Sequence, residues 1–166
     1  LGNTREDAGR NQPMYPFSPG GSGTPAARAG GGDSEVYVIS YGHSKHTGEL
    51  GKFNADYQKK FNDDYYTYST YNGINLLSAA IAKGKSTDPV KVAAALEDLS
   101  VKSFAGEVKM RRADHQLQQP MFVTKWQKVD KKNPYSVENT GYTFAPIKAM
   151  DAYVASTPTS CQMKRP

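Results

Sequence analysis

The stretch SFAGEVKMRRADHQLQQPMFVTKWQK, from Ser103 to Lys128, carries the most informative pattern of the chain. It predicts a short strand over 106–110, a polar connection over 111–119 and a second strand over 121–129, which is rich in β-branched and aromatic residues. Pro120 has no N–H, so it suits the first position of a strand better than the interior. Asp114 and His115 lie where a turn is needed. The stretch therefore predicts a strand pair with a basic, polar tip.

Upstream of this stretch, apolar residues recur at helical spacing in three segments. The first predicted helix covers 50–61 with Thr47 as its N-cap. The second ends at Gly84, and the third begins at the cap pair Asp88–Pro89. The inward face of the second helix is predicted to carry Ile74, Leu77, Ser78 and Ile81.

Short strands are predicted at 36–40 and 142–144, because each is an apolar run of strand length. A last short helix is predicted over 146–154, with Met150, Tyr153 and Val154 facing inward. A strand, then helices, then more strands predict an α/β protein.

The charge and the hydropathy exclude few classes of function. The net charge of +5 raises the alternative of a basic nucleic-acid-binding or interaction domain, but the basic residues are spread along the whole chain. No stretch has the ~18–20 continuous apolar residues of a membrane span. The run after Leu1 is polar and does not have the pattern of a signal peptide. From a chain without an initiator Met we expect a processed product or a fragment.

Catalytic, metal-binding and phosphate-binding motifs are weak in this sequence. His43 and His46 have a spacing compatible with metal binding but lack further ligands, so solvated loop histidines and no metal are expected. Gly84-Lys85-Ser86 resembles the end of a P-loop, but Ala79 stands where a glycine is required. Cys161 is the only cysteine and lies in a polar tail, and no GxSxG elbow occurs. We therefore expect a protein that is not an enzyme and holds no cofactor.

The strongest indication of a ligand-binding site is the group of tyrosines in the segment YYTYSTY over 65–71. If this segment is an alternating strand end, Tyr66 and Tyr68 share one face. Such rings can pack against an apolar ligand and hydrogen-bond its polar end, although a role in the helix–sheet core is the alternative. The preceding acids Asp63 and Asp64 are predicted to be solvated at the end of a helix.

Four segments together resemble the carboxyl-terminal part of branched-chain amino-acid (Leu/Ile/Val-type) ABC transporter substrate-binding proteins. They are YNGINLLSAAIAKGKSTDPVKVAAALEDL, GEVKMRRADHQLQQPMFVTKWQKV, GYTFAPIKAM and the tail TSCQMKRP. The resemblance runs from about Gly48 to Pro166, and its most specific part is Val108 to Lys125.

This resemblance implies an α/β fold, the type I periplasmic binding protein fold with two Rossmann-like lobes, of which this chain is the C-terminal part. It implies that residues 1–34 are the Gly/Pro-rich end of the C-terminal lobe, that 35–105 belong to the N-terminal lobe, and that 106–166 contain a hinge crossing and return to the C-terminal lobe. The stretch over 103–128 would then be scaffold near the hinge.

The same resemblance implies a non-catalytic receptor that binds a branched-chain or other small amino acid, or an amide, in an interlobe cleft. Tyr66 falls where related proteins present an aromatic residue to the ligand, and Tyr68 is the second choice. The implied partners are this small ligand and the membrane permease of an ABC importer, with no nucleic acid and no membrane-spanning segment. The implied location is the periplasm of a Gram-negative bacterium.

Overall fold

The computed structural model describes residues 36–45, 47–104, 106–154 and 156–165. The predictions for the glycine-rich residues 1–33 and for His46 fall outside these ranges. Along the chain the elements are β1 (Tyr37–Ser40), α1 (Gly48–Phe61), α2 (Tyr68–Gly84), α3 (Pro89–Leu96), β2 (Ser100–Ser103), β3 (Gly106–Met110), β4 (Leu117–Gln118), β5 (Met121–Lys128) and β6 (Tyr142–Met150), with a 3-10 turn at Val137–Asn139 before β6.

Two compact units divide the chain. The first contains the described residues up to Tyr66 together with Met121–Ala149, and the second contains Thr67–Pro120 and the described residues from Met150 onward. The predicted boundary between 105 and 106 falls inside the second unit, where β2 pairs with β3. The assignment of residues 1–34, 35–105 and 106–166 to the lobes of a larger protein stays a prediction.

The first unit contains a sheet with the strand order β1-β5-β6 and the helix α1. β1 runs antiparallel to β5, with Val38 opposite Thr124. Alternate residues of β5 are buried, namely Phe122, Thr124 and Trp126, as expected for a strand with one face in a core. Trp126 is fully buried and stacks on Tyr142 at 5.4 Å between ring centroids.

The second unit contains α2, α3 and an antiparallel sheet with the order β2-β3-β4. Asp88 caps α3, since its Oδ1 accepts from the Lys91 N–H at 3.0 Å and Pro89 takes the first helical position, as predicted. Gly84 is the last residue of α2, and a Cβ there would lie 3.4 Å from the Cβ of Ala95, so this glycine lets α2 and α3 approach closely.

The predicted strand pair at the centre of the chain is wrong in its pairing. Both strands exist, but β3 pairs with β2 and β4, whereas β5 lies in the other sheet beside β1. The predicted turn at Asp114 and His115 is confirmed, because the His115 N–H donates to the Arg111 carbonyl at 2.8 Å and His115 has a φ of 54°. Which strands pair depends on segments elsewhere in the chain, and the local sequence pattern of a strand does not identify its partner.

Two further predictions are wrong in detail. In α2 the buried residues are Asn72, Leu76 and Ala80, while Ile74, Leu77, Ser78 and Ile81 are exposed. The segment predicted as a helix over 146–154 continues β6 to Met150, and Tyr153 and Val154 are exposed. No helix among the described residues has the length and apolar character needed to cross a bilayer.

Candidate functional site

Tyr66, the residue that the sequence favours for ligand contact, is anchored through its hydroxyl in the first unit. The helix α1 ends at Phe61, and its C-cap Asn62 takes the left-handed conformation with a φ of 52°. The Tyr66 hydroxyl donates to Oε1 of Glu138 at 2.9 Å and lies 3.5 Å from Oδ2 of Asp64. Tyr66 as a residue is partly buried. The hydroxyl end of Tyr66 is therefore engaged by the protein itself.

Asp64 is the centre of this hydrogen-bonded cluster and is only 7% exposed. Its Oδ1 accepts from the Tyr135 hydroxyl and from Nε2 of Gln58 at 3.3 Å. Its Oδ2 accepts from the Glu138 N–H at 2.7 Å. The prediction that Asp64 is solvated is wrong, because the donors that replace water come from α1 and from the segment before β6. The carboxyl group of Asp64 is therefore buried with hydrogen-bond donors in place of water.

The electrostatics of the cluster keep Tyr66 protonated. Burial raises the pKa of the Tyr66 phenol, and the hydrogen bond to Glu138 raises it further, as do the charges of Asp64 and Glu138. A phenol between two carboxylates acts as a donor and not as a phenolate. Tyr66 therefore has no role as a base in this arrangement.

The neighbouring tyrosines divide between core packing and exposure. Tyr65 packs edge-on against Phe53 and Tyr57, with 5.0 Å between ring centroids in both pairs. In the second unit Tyr71 stacks on Phe104 at 4.6 Å. Both tyrosines are partly exposed and pack against other aromatic rings of their own unit.

Tyr68 is placed differently from the sequence prediction. It is the first residue of α2 and is partly exposed. Because the helix begins there, the predicted strand face shared by Tyr66 and Tyr68 does not exist. Their contact with a ligand stays a prediction for both residues.

Sequence reasoning missed Glu138 and Tyr135, which complete the cluster. They lie 72 and 71 residues along the chain from the side chains they contact, Tyr66 and Asp64 respectively. Glu138 also has a φ of 48°, a left-handed conformation that is uncommon for a residue other than glycine. No local pattern in the sequence signals either contact.

His43 is packed, whereas the sequence predicted a solvated loop residue. Its ring meets that of Phe122 edge-on at 4.6 Å, and its Nδ1 accepts from the Lys45 N–H at 3.1 Å. Burial, and to a smaller degree the charge of Lys45, lower the pKa of His43.

Cys161 is an exposed free thiol. In the part of the chain that the structure describes, no three His, Cys, Asp or Glu side chains gather as metal ligands would.

Comparison with known sequences identifies the protein family that this chain matches. The sequence model of a family described as periplasmic binding protein matches residues 2–133. Two proteins, each called Leu/Ile/Val-binding protein homolog 4, from Brucella abortus (strain 2308) and Brucella suis biovar 1, are 33% identical to this chain over 128 residues. The match covers 72% of this chain and 30% of theirs. The chain thus spans about 30% of the length of the curated relatives it matches.

Comparison with solved structures gives the same architecture. The crystal structure of the leucine-, isoleucine-, valine-, threonine-, and alanine-binding protein from Brucella ovis, in the closed conformation, superimposes with a TM-score of 0.83 and 26% identity. That match covers 100% of this chain and 44% of the other. A solute binding protein of an ABC transporter from Rhodopseudomonas palustris HaA2, in complex with p-hydroxybenzoic acid, matches with a TM-score of 0.68 and 18% identity over 91% of this chain and 40% of the other. At this identity the second likeness shows the fold alone.

Proposed function

Because this chain belongs to the periplasmic binding protein family, we propose that the protein containing it is a solute receptor of an ABC importer that binds a branched-chain or other small amino acid, or an amide. The observation that carries the proposal is the likeness of the whole chain to the Brucella ovis protein, at a TM-score of 0.83 and 26% identity. That protein is described as binding leucine, isoleucine, valine, threonine and alanine. The predicted α/β fold, the type I periplasmic binding protein fold, is confirmed by the same comparisons.

The ring of Tyr66 is proposed as a contact for the ligand's side chain. Its hydroxyl is held by Glu138, which fixes one end of the side chain, and Tyr66 as a residue is partly exposed. Tyr68, partly exposed at the start of α2, is the second proposed contact. Aromatic rings of this kind suit an apolar side chain better than a charged one.

The proposed partners are a small-molecule ligand and the membrane permease of an ABC importer. The proposed location is the periplasm of a Gram-negative bacterium, as the family description and the Brucella relatives suggest. A non-catalytic role is proposed because the relatives are described by what they bind. The family membership does not favour the alternative of a basic nucleic-acid-binding domain.

A thermal-shift panel on the full-length gene product that contains this sequence tests the function. The panel contains L-leucine, L-isoleucine, L-valine, a small amide and 4-hydroxybenzoate, with D-leucine as the stereochemical control. A ligand at one hundred times its Kd adds about 2.7 kcal/mol to the free energy of unfolding, so a clear rise in Tm is expected with an L-amino acid or the amide.

Two other outcomes of the thermal-shift panel would contradict the proposal. A shift with 4-hydroxybenzoate alone would replace the amino acid by an aromatic acid. Absence of any shift, together with salt-sensitive binding of duplex DNA, would favour the nucleic-acid alternative.

A further inference from the structure

The Tyr66 hydroxyl can donate one hydrogen bond, and the two distances to its acceptors identify the stronger one. The oxygen lies 2.9 Å from Oε1 of Glu138 and 3.5 Å from Oδ2 of Asp64, so Glu138 is the stronger acceptor. Both acceptors are carboxylates, and hydrogen bonds to ionised acceptors are roughly twice as strong as neutral ones. A ligand that approached this hydroxyl would compete with a charge-assisted bond for its only donor.

Glu138 is in turn held by Asp64 through the backbone. The Glu138 N–H donates to Oδ2 of Asp64 at 2.7 Å, in a turn where Glu138 and Asn139 have φ values of 48° and 54°. A left-handed conformation at residues other than glycine has an energetic cost, and it persists where surrounding contacts determine it. The buried Asp64, fixed by Tyr135 and Gln58, supplies such a contact.

The contacts therefore form a continuous path that ends at Tyr66. Tyr135 and Gln58 orient the carboxylate of Asp64, Asp64 orients the backbone of Glu138, and the Glu138 side chain holds the phenol. Apart from Tyr66 itself, none of the residues on this path is given a ligand contact by the function proposed above. Burial and the hydrogen bond to Glu138 raise the pKa of Tyr66, which is consistent with a permanently donated proton.

We infer that Asp64 and Glu138 are positioning residues that fix the Tyr66 side chain, so that Tyr66 offers its ring and not its hydroxyl to the ligand. This inference rests on the proposed function for the ligand contact, but the contact between Glu138 and Tyr66 is independent of any ligand. The part of the ligand that meets Tyr66 is accordingly apolar.

A double-mutant cycle on the full-length protein tests the positioning contact without a ligand. Glu138→Ala and Tyr66→Phe each remove one partner of the hydrogen bond, so each lowers Tm, and the double variant lowers it by clearly less than the sum of the two single effects. Glu138→Gln keeps an acceptor oxygen and retains most of the Tm. Additive effects of the two substitutions would overturn the inference. Asp56→Ala, at an exposed position in the middle of α1, is the control and should change Tm little.

Titration with L-leucine then tests the ring contact. Tyr66→Phe keeps the ring and changes the affinity by less than about threefold, whereas Tyr66→Ala reduces it by at least about tenfold, as expected for loss of a buried aromatic contact. Glu138→Ala weakens binding by no more than Tyr66→Phe does, and it adds no further loss in the Tyr66→Phe background. Equal losses for Tyr66→Phe and Tyr66→Ala would overturn the inference, since the hydroxyl itself would then contact the ligand.

The two proposals fail in different ways. If wild-type protein binds L-leucine and Tyr66→Ala does not weaken it, the ring assignment is wrong while the receptor function holds. If wild-type protein does not bind L-leucine, the assignment of Tyr66 to that ligand is wrong, and the cycle of Tm values still decides whether Glu138 holds Tyr66.

Discussion

Asn72 donates from Nδ2 to Oε1 of Gln119 at 2.9 Å, and both side chains are buried within the second unit. Ser103 donates its hydroxyl proton to Oδ1 of the same asparagine, so Asn72 connects α2 to β2 and to the residue before Pro120. Since buried polar groups need partners, loss of the Asn72 side chain deprives the buried Gln119 of this partner and also removes a partner of the partly exposed Ser103.

Asn72→Ala should lower the free energy of unfolding by about 1–3 kcal/mol, because Gln119 and Ser103 each lose a buried partner. The measurement is urea denaturation of the full-length protein. Asn75→Ala, at a partly exposed position of the same helix, is the matched control and should change stability by less than about 0.5 kcal/mol. Equal effects at the two positions would contradict the assigned network.

Local patterns in the sequence predicted individual elements well. The Asp88–Pro89 cap begins α3 where expected, and β5 (Met121–Lys128) lies where β-branched and aromatic residues predicted a strand, because both signals depend on neighbouring residues only. The pairing of β3 could not be predicted in this way. Its partner β2 has a polar sequence, SVKS, which gave no strand signal of its own.

The choice of the buried face of α2 and the hydrogen bonds around Tyr66 depend on residues far along the chain, so local sequence patterns did not predict them. α2 has large apolar residues on two faces. The buried face is the one that includes the small Ala80 and the polar Asn72, whose side chain has hydrogen-bond partners in Gln119 and Ser103. Asp64 is similarly buried because Tyr135 and Glu138 supply donors from far along the chain. The aromatic segment itself was visible in the sequence, whereas the contacts that hold it were not.

Leu76 and Leu77 give a direct test of the orientation of α2, since they are adjacent and differ in exposure, at 0% and 47%. Leu76→Ala should cost about 2–5 kcal/mol, as expected for a cavity in a close-packed core. Leu77→Ala should cost less than about 0.5 kcal/mol, because this side chain is exposed. The comparison uses urea denaturation of both variants. The reverse order of effects would support the apolar face first predicted from Ile74, Leu77 and Ile81.

Asp114 and Arg111 should make stability depend on pH in acid. Nε of Arg111 donates to Oδ1 of Asp114 at 2.8 Å, Nη2 donates to Oδ2, and Nη1 reaches the Thr157 carbonyl at 2.7 Å. The hydrogen bond from Arg111, followed by that from the Gln116 N–H, holds the pKa of Asp114 well below its usual range. The unfolded chain, with an aspartate pKa of about 3.9, therefore binds a proton at higher pH than the folded protein does.

The contribution of Asp114 to stability should be fully present above about pH 5 and should be lost as the pH falls below the unfolded pKa of about 3.9. Asp114→Asn should lower Tm at pH 7 and flatten the decline of Tm between about pH 5 and pH 3, because the carboxylate that takes up the proton is absent. Arg111→Lys should give an intermediate Tm, since an ammonium group keeps the charge but cannot bind both carboxylate oxygens in the same planar geometry. Thermal melts across this pH range make the comparison. An unchanged acid slope in Asp114→Asn would show that other groups account for the loss of stability in acid.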